Sequence, residues 1–295
     1  MLDSRYESFL VLCETLSYTK TAGLLYVTQP TITQHIQYLE NRYKTRLFTY
    51  TGKQLRLTDK GAELRRYVFE MKENARQIER RMLSAGTHMT FRIGATKTIG
   101  EYVLPRVLKT YLEKNPEKDA DLYVDNTQVL LAMLDGGKID FALLEGFFDK
   151  SAYEYRLLKC EEFVGVCSPD SRLSGKKWKL DDLLDERMIV REEGSGTREI
   201  LERYLKQYSL ELTSFAHEST ISNFAAIKEL VSDNAGITFL YRPVAEAELE
   251  NGRLKLLQIE DFDLKREFNF VLPKNSLFKD DYLGFFEFCR EILGE

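Results

Sequence analysis

The sequence predicts an α/β protein with an all-α N-terminal domain, a long linker helix and a body of two Rossmann-like subdomains. Three observations support this fold class. Up to about residue 45, apolar residues recur every three or four positions, as in short helices with one buried face. A heptad pattern follows over residues 64–82. Beyond residue 90, short apolar runs alternate with helical periods, which is typical of βαβ units around a mainly parallel sheet.

Composition narrows the class of protein. With 43% apolar and 30% charged residues, the chain is expected to fold. Its start lacks the basic and apolar segments of a signal peptide, and no run approaches the roughly 18 apolar residues of a membrane span. We therefore expect a cytoplasmic protein with no membrane partner. The four cysteines show no C-x-x-C spacing, which argues against a zinc site or a disulfide framework.

Charge is divided unevenly along the chain. Residues 1–90 hold 14 Lys and Arg against 9 Asp and Glu, whereas the rest holds 28 against 38, within a net charge of −5. A basic module that binds phosphates, attached to an acidic body, gives such a split. Ordinary variation of surface charge is the alternative.

Three short helices are expected first. Apolar residues from Tyr6 to Leu16 share one helical face, and Thr19 is the candidate cap of a second helix. Thr28 is the expected N-cap of a third helix, with Pro30 in its first turn, where a missing N–H costs nothing.

The third helix has an apolar stripe and a polar stripe that carries almost no charge. The apolar stripe holds Ile32, Ile36, Leu39 and Tyr43, and the polar stripe holds Pro30, Thr31, Gln34, Gln37, Tyr38 and Asn41. Amides and hydroxyls match the hydrogen-bonding edges of bases in a DNA major groove, whereas a solvated helix usually carries Glu and Lys pairs. We therefore favour a DNA-reading helix, with an ordinary surface helix as the alternative.

A basic hairpin is expected after this helix. Residues 47–50 and 55–58 have strand character, and residues 51–54 form the turn. Arg46, Lys53 and Arg56 can neutralise phosphates there, and a solvated turn is the alternative. Because a hairpin beside a reading helix is a wing, residues 1–58 are predicted to form a winged helix-turn-helix DNA-binding domain.

Residues 59–88 are predicted to form a dimerisation helix that ends near Gly86. Its apolar residues follow a heptad seam and are Leu64, Val68, Met71, Ala75, Ile78 and Met82. The opposite face is highly charged, which favours pairing of two chains over the alternative, packing of this helix on its own domain. A twofold dimer would present two reading helices to an inverted repeat.

The remaining residues, 89–295, are predicted to form an effector-binding domain of two lobes. Subdomain I takes about 89–161 and 264–295, and subdomain II takes about 162–263, so that two crossings leave a cleft between the lobes. Strands are expected at 91–95, 121–125, 140–145, 163–167, 188–190, 214–218, 237–240 and 264–272, and helices at 99–113, 128–135, 197–208, 222–232 and 279–293.

Hydroxyl-rich turns before three of these helices form the candidate effector site. Their residues are Thr96, Lys97, Thr98, Asn126, Thr127, Ser195 and Thr197. Helix N termini offer free N–H groups and the positive end of the helix dipole, so converging turns suit a small anion such as a carboxylate or an oxyanion. The alternative is that each turn only caps its own helix.

No catalytic or cofactor motif is apparent. The three histidines, His35, His88 and His217, lack the spacing of a metal site or a catalytic triad, and Ser195 lies outside a nucleophile elbow. Glu192 and Glu193 look like a solvated pair. We therefore predict that the protein is not an enzyme and has no metal or cofactor. Two rival classes remain: a small-molecule binding protein, transport-type protein or enzyme whose helical bundle serves assembly, and an architectural DNA protein without a ligand.

Several runs of residues resemble the LysR-type transcriptional regulators. The specific matches lie at 17–22, 25, 28–33, 36, 39–40, 47–48 and 57–61, and more diffuse ones at 92–95, 126–127, 137–142 and 191–198. The resemblance implies subdomains similar to periplasmic binding proteins and a small-molecule effector in the cleft. It also implies dimers that pair into tetramers, bending of double-stranded promoter DNA, and contact with RNA polymerase.

The resemblance assigns roles to single residues. Gln29, Pro30, Thr31, Thr33 and Gln34 are expected at base edges, Arg46 and the wing at phosphates, and Thr96, Thr98, Asn126, Thr127 and Thr197 at the effector. The full set of expected DNA contacts adds Thr19, Gln37, Tyr38, Lys53 and Arg56. We thus expect a homo-oligomeric regulator that reads an inverted, A·T-rich site and responds to a small, anionic metabolite.

Overall fold

The computed structural model describes residues 3–83, 89–260, 262–274 and 276–294. The chain divides into two compact units, one built from the N-terminal helices and one that begins at Met89. Within the described ranges, no helix is both long enough and apolar enough to cross a membrane.

The first unit is a small helical domain with one hairpin. Its elements are α1 (Ser4–Thr15), α2 (Tyr18–Leu24), α3 (Gln29–Tyr43), β1 (Phe48–Thr51), β2 (Gln54–Leu57) and α4 (Asp59–Leu83). Phe9, Leu12, Ile32, Leu39 and Leu47 form its centre and are at most 1% exposed. Burial of such side chains stabilises the fold by roughly 1.5–3 kcal/mol each. The apolar stripe of α3 is thereby fixed inward, which turns the polar stripe to the surface.

Side-chain caps set where the helices begin. The Thr28 hydroxyl accepts a hydrogen bond from the Thr31 N–H, as the sequence predicts for α3. The cap predicted for α2 is wrong. Ser17, in extended conformation, accepts from the Lys20 N–H, and Thr19 lies exposed in the first helical turn. The reason is that the left-handed Leu16 ends α1 and places Ser17 at the start of α2.

Helix α4 starts against the hairpin. The Thr58 hydroxyl accepts a hydrogen bond from the Gly61 N–H at 3.0 Å and donates one to the Arg46 carbonyl at 2.7 Å. A Cβ on Gly61 would lie 2.2 Å from the Leu47 carbonyl oxygen, so the close approach of α4 requires glycine. The predicted end of this helix near Gly86, and His88, lie outside the described residues.

The predicted dimer seam on α4 divides into two parts. Val68 is 1% exposed and, with the half-buried Leu64, packs into the core of the first unit. Val68 therefore has no exposed surface with which to contact a partner chain, and its assignment to a seam between chains is wrong. Farther along the helix Met71, Ile78 and Met82 are 53%, 42% and 81% exposed, and Ala75 is half-buried.

The second unit is an α/β body. Its strands are β3 (Met89–Ala95), β4 (Lys118–Val124), β5 (Phe141–Glu145), β6 (Glu154–Cys167), β7 (Lys177–Trp178), β8 (Arg187–Val190), β9 (His217–Thr220), β10 (Thr238–Tyr241), β11 (Lys255–Leu256), β12 (Gln258–Ile259) and β13 (Leu264–Leu272). Its helices are α5 (Leu104–Lys114), α6 (Thr127–Asp135), α7 (Gly196–Gln207), α8 (Phe224–Ser232), α9 (Arg242–Glu250) and α10 (Lys279–Leu293). A π-helical turn, Ile99–Val103, leads into α5.

Two long strands connect the parts of this body. Strand β3 pairs in parallel with β4 and β5, and β8 pairs in parallel with β9, as expected for βαβ units. Strands β6 and β13 pair with each other antiparallel, and they also pair antiparallel with β10 and β5, respectively. The order is β10-β6-β13-β5-β3-β4. The sheet is therefore mixed, not mainly parallel, because the two crossing strands run through its middle.

Several elements differ from the sequence prediction, including the short strands β7, β11 and β12, which were not predicted. Strand β6 begins at Glu154 instead of residue 163, because its first half is mostly exposed, with only Leu158 buried among residues 154–160, and forms no apolar run. Strand β9 lies at His217–Thr220 because a 3₁₀ turn, Leu212–Ser214, occupies the start of the predicted strand. Helix α9 was not predicted. It follows β10 directly, with Pro243 in its first turn.

Candidate functional sites

The polar stripe of α3 lies on the surface of the first unit. Gln29, Pro30, Gln34, Gln37 and Tyr38 are exposed, and Thr31 and Thr33 are half-buried. Hydrogen bonds within the helix orient some of these groups: the Thr33 hydroxyl donates to the Gln29 carbonyl at 3.2 Å, and the Gln29 amide donates to that hydroxyl at 3.3 Å. The stripe presents amides and hydroxyls at the spacing of one helical face.

The end of α3 departs from the expected pattern. Tyr43 was predicted on the buried stripe, but it is 41% exposed, and its hydroxyl lies 2.6 Å from that of Tyr6. The prediction is wrong because Tyr43 is the last residue of α3, and its phenol finds a polar partner at the surface. His35, in the middle of the helix, lies 2.8 Å from the Ser8 hydroxyl through Nδ1, which makes it a link between α1 and α3.

A cation borders one side of the stripe. Asp3, Ser4, Arg5, Gln34, His35 and Tyr38 line a surface pocket. The Arg5 guanidinium lies 3.8 Å from the centre of the Tyr38 ring and donates to Asp3 from Nε at 2.9 Å. The hydrogen bond from the Arg5 side chain lowers the pKa of Asp3 to about 2. Sequence reasoning missed Arg5 because it precedes the apolar pattern of α1, although a cation in a first helical turn was visible.

The predicted phosphate-binding cations lie on and beside the hairpin. Arg46 is 82% exposed and donates to Glu40 at 2.8 Å, while the other Glu40 oxygen accepts from the Leu47 N–H. The nearly buried Glu40 thus fixes both Arg46 and the start of the wing. Lys53 lies in the tight turn between β1 and β2, and Arg56 is exposed on β2. Cations therefore lie at the hairpin as well as beside Tyr38.

In the second unit, two of the predicted hydroxyl turns meet at the end of β5. Thr96 and Thr98 are at most 4% exposed. The Glu145 N–H donates to the Thr96 hydroxyl at 3.2 Å, and the Thr98 hydroxyl donates to Glu145 Oε1 at 2.9 Å. From α6, the Thr127 hydroxyl donates to the Glu145 carbonyl at 3.2 Å. The structure therefore gathers these three threonines around Glu145, which the sequence analysis did not single out: Thr98 bonds to its buried carboxyl, and Thr96 and Thr127 bond to its backbone.

The third predicted turn approaches the same carboxyl. A Cβ on Gly196, the first residue of α7, would lie 3.9 Å from Glu145 Cγ. Ser195 is 8% exposed and makes no side-chain cap, and Thr197 is 3% exposed. Among the described residues, Thr197 Oγ1 has no hydrogen-bond partner. The start of α7 thus approaches Glu145 at Gly196 and carries two buried hydroxyls without a side-chain cap, which the alternative of a simple helix cap does not explain.

Asn126 and Lys97 have structural partners. The Asn126 side chain accepts from the Val129 N–H and so caps α6, which agrees with the cap alternative. Lys97 donates to Glu192 at 3.4 Å and to the Ser222 carbonyl at 3.3 Å. Lys97 follows β3 and Glu192 follows β8, so this contact joins segments that follow strands of two different sheets.

Arg191 is the second site residue that sequence reasoning missed. It is 4% exposed, donates to both oxygens of Glu192 at 2.7 Å, and lies 4.3 Å from the centre of the Phe224 ring. Glu192 is therefore an ion-pair partner, and its prediction as part of a solvated pair is wrong. Its pKa is lowered even though burial raises it, because Arg191 and Lys97 stabilise the carboxylate. The sequence carries no signal that marks Arg191, because its burial results from packing in the folded chain.

The two histidines in the described ranges lie in different units. His35 contacts Ser8, and His217 is exposed on β9. Within the described ranges, no group of His, Cys, Asp and Glu is placed to hold a metal ion.

Two family models cover nearly the whole chain. The one described as the bacterial regulatory helix-turn-helix protein of the lysR family matches residues 4–62. The one described as the LysR substrate binding domain matches residues 84–294. The chain belongs to the LysR family. It is accordingly a DNA-binding transcription regulator with an effector-binding domain, and its relatives are named as regulators and not as enzymes.

Individual relatives agree with this assignment. CysL, an HTH-type transcriptional regulator of Bacillus subtilis, is 28% identical over 283 residues, which cover 94% of each chain. The fold resembles that of an OxyR mutant from Corynebacterium glutamicum, with a TM-score of 0.64, 19% identity, and coverage of 99% of this chain and 92% of that one. The regulatory domain of CcmR from Synechocystis, solved in complex with 2-PG, matches with a TM-score of 0.61 and 21% identity over 69% of this chain and 96% of that one.

Proposed function

We propose that this LysR regulator reads an inverted repeat in promoter DNA with the polar stripe of α3. The observation that carries the proposal is the set of exposed amides on α3, Gln29, Gln34 and Gln37, together with Arg5 beside Tyr38 and the exposed Arg46 before the wing. Amides can pair with base edges, while guanidinium and ammonium groups neutralise phosphates. Side-chain contacts from α3 would then supply sequence selectivity, and the cations would supply affinity.

The proposed regulator acts as a homo-oligomer. The exposed apolar residues Met71, Ile78 and Met82 repeat along one side of α4, the arrangement expected of a helix that pairs with a second copy. A twofold dimer places two α3 helices on one side of the DNA. Pairing of dimers into tetramers, contact with RNA polymerase and a cytoplasmic location complete the proposal, in line with the family.

The proposed effector is a small anion held between the lobes of the second unit. Support comes from the donors that converge there: the buried Thr98 and Thr197 hydroxyls, the start of α7, and the guanidinium of Arg191. CcmR, a structural relative, was solved with 2-PG in its regulatory domain, which makes 2-PG a reasonable first probe. A ligand that binds one lobe arrangement better than another shifts the population of the two.

A mobility-shift experiment tests the DNA-reading proposal. The full chain is titrated against the promoter region upstream of its own gene and against random duplex of equal length. We expect tighter binding to the upstream region, and affinity that falls steeply with salt on both DNAs. Equal affinity for the two DNAs would indicate an architectural DNA protein, and no binding to either at low salt would indicate a binding protein without a DNA role. Both results contradict the proposal.

A further inference from the structure

Glu145 contacts Thr96, Thr98 and Thr127 of the proposed effector site, and a carboxyl is an unusual group to find beside a site for an anion. Glu145 ends β5 and is 3% exposed. Its Oε1 accepts from the Thr98 hydroxyl, whereas Oε2 is buried and has no hydrogen-bond partner among the described residues. A buried carboxylate normally pairs with a cation or several donors, because an isolated ionised group in a low-dielectric interior is strongly unfavourable. The free oxygen therefore points to a carboxyl that keeps its proton.

The groups that face Glu145 support this protonation state. Arg191 from the end of β8 is the cation that acts on it, but that guanidinium is already bidentate with Glu192. Tyr241 from β10 is the other titratable group that interacts with Glu145, and it is neutral because burial raises its pKa well above 10. From α7 the neutral Gly196 approaches Glu145. Burial, as the largest cause, raises the pKa of Glu145 to about 8.

We propose that Glu145 serves the effector site as a neutral acid whose Oε2 hydroxyl donates a hydrogen bond to an anionic effector, so that the anion and the ionised form of Glu145 exclude each other. This inference rests on the proposed effector site. It assigns Glu145 as an effector-binding residue, and it makes the response of the regulator dependent on pH. When an anion binds to a chain whose Glu145 is ionised, the carboxylate takes up one proton from the solvent. The anion and the proton are thus bound together, and atoms and charge balance.

The direction of the pH effect follows from this linkage. Below about pH 8 Glu145 carries its proton and can donate. Above that pH the carboxylate accepts only and repels an anion, so the apparent affinity falls. For one proton and a pKa near 8, affinity drops about tenfold between pH 7 and pH 9. A cationic effector would give the opposite slope, because it would pair with the carboxylate.

Infrared spectroscopy on the full chain tests the protonation state without a ligand. Carboxyl groups of ordinary pKa are ionised at pH 7, so the spectrum of the wild type minus that of Glu145→Gln isolates the carbonyl stretch of one neutral acid. We expect this band at pH 7 and its loss as the pH passes about 8. Glu250→Gln, at the exposed end of α9, is the control and keeps the band. A difference spectrum without a neutral-acid band at pH 7 overturns the proposal.

Calorimetry with sulfate tests the donor role. Sulfate keeps its charge between pH 6 and pH 10, so any pH dependence must come from the protein, and ionic strength is held constant with chloride. We expect about tenfold weaker binding at pH 9 than at pH 7 for the wild type and for Glu250→Gln. Glu145→Gln, whose amide donates at every pH, should bind sulfate with the same affinity at both.

The outcomes separate this inference from the regulator proposal. The proposed role of Glu145 is overturned if the wild type does not bind sulfate, binds it equally at both pH values, or binds it more tightly at pH 9. Neither experiment contains DNA. A chain that binds its promoter but shows no acid band refutes only the inference, whereas a chain with proton-coupled sulfate binding and no DNA binding refutes only the regulator proposal.

Discussion

Replacement of Glu145 by Gln should change how stability depends on pH. In the unfolded chain this carboxyl ionises near pH 4.5, whereas burial raises its pKa in the folded protein to about 8. Between these values the folded state holds a proton that the unfolded state has released, so stability falls as pH rises. Glutamine has the same shape and no titration. The variant should therefore gain stability relative to the wild type as the pH is raised.

The size of the effect follows from the two pKa values. A difference of one pKa unit corresponds to about 1.4 kcal/mol. The shift from 4.5 to about 8 therefore lowers the unfolding free energy of the wild type, relative to Glu145→Gln, by on the order of 5 kcal/mol once the pH exceeds 8. This difference in unfolding free energy should grow gradually above pH 4.5 and stay constant above pH 8. Because the carboxyl is buried, salt should screen this effect little.

Urea unfolding measures this difference in unfolding free energy. Trp178, the single tryptophan of the chain, lies in the second unit and reports its unfolding by fluorescence. Wild type, Glu145→Gln and the exposed control Glu250→Gln are compared at pH 5, 7 and 9. The free energy of unfolding of Glu145→Gln should rise relative to the other two proteins by several kcal/mol from pH 5 to pH 9. If the unfolding free energies of the three proteins changed with pH in the same way, the reasoning that burial keeps Glu145 neutral would be refuted.

Three further predictions concern the first unit. Gly61→Ala should destabilise it by about 1–3 kcal/mol in thermal unfolding, because the new Cβ would lie 2.2 Å from the Leu47 carbonyl oxygen. Val68→Ala should lower the free energy of unfolding by about 2 kcal/mol, since Val68 is buried in the core. Lys53→Ala should weaken binding to all DNA sequences alike and reduce the salt slope by about 1.

Each of these predictions has a contrary result. A Gly61→Ala variant as stable as wild type would mean that α4 does not approach the hairpin as closely as described. If Val68→Ala disrupted dimers without lowering stability, its place in the core would be wrong. A Lys53→Ala effect confined to one DNA sequence would make Lys53 a base contact and not a phosphate contact.

Local patterns in the sequence were sufficient for the elements with strong signals. The cap at Thr28 and the spacing of Ile32, Ile36 and Leu39 determine α3, because helix starts and buried stripes depend on neighbours within one or two turns. The same reasoning placed β13 and α10. The heptad on α4 was ambiguous for a physical reason: a helix buries the same spacing of apolar residues against its own domain or against a second chain. Only the fold shows that Val68 belongs to the domain core.

The candidate effector site was only partly visible in the sequence. Thr96, Thr98 and Thr197 could be identified because hydroxyl-rich turns before helices are local signals. Glu145 and Arg191 could not be identified, because a carboxyl at a strand end becomes unusual only when burial deprives it of water and of an ion-pair partner. Those properties arise from packing of β5 against the segment from the end of β8 to the start of α7, which is distant from β5 in the sequence.

Base-specific loss of affinity in Gln34→Ala tests the central claim most directly. The wild type first selects its preferred sequence from a pool of random duplexes, and the affinities of both proteins are then measured on that site and on unselected DNA at one salt concentration. We predict that Gln34→Ala loses about 1–3 kcal/mol on the selected site and almost nothing on unselected DNA. An equal loss on both DNAs, or no loss on either, would contradict a reading role for the polar face of α3.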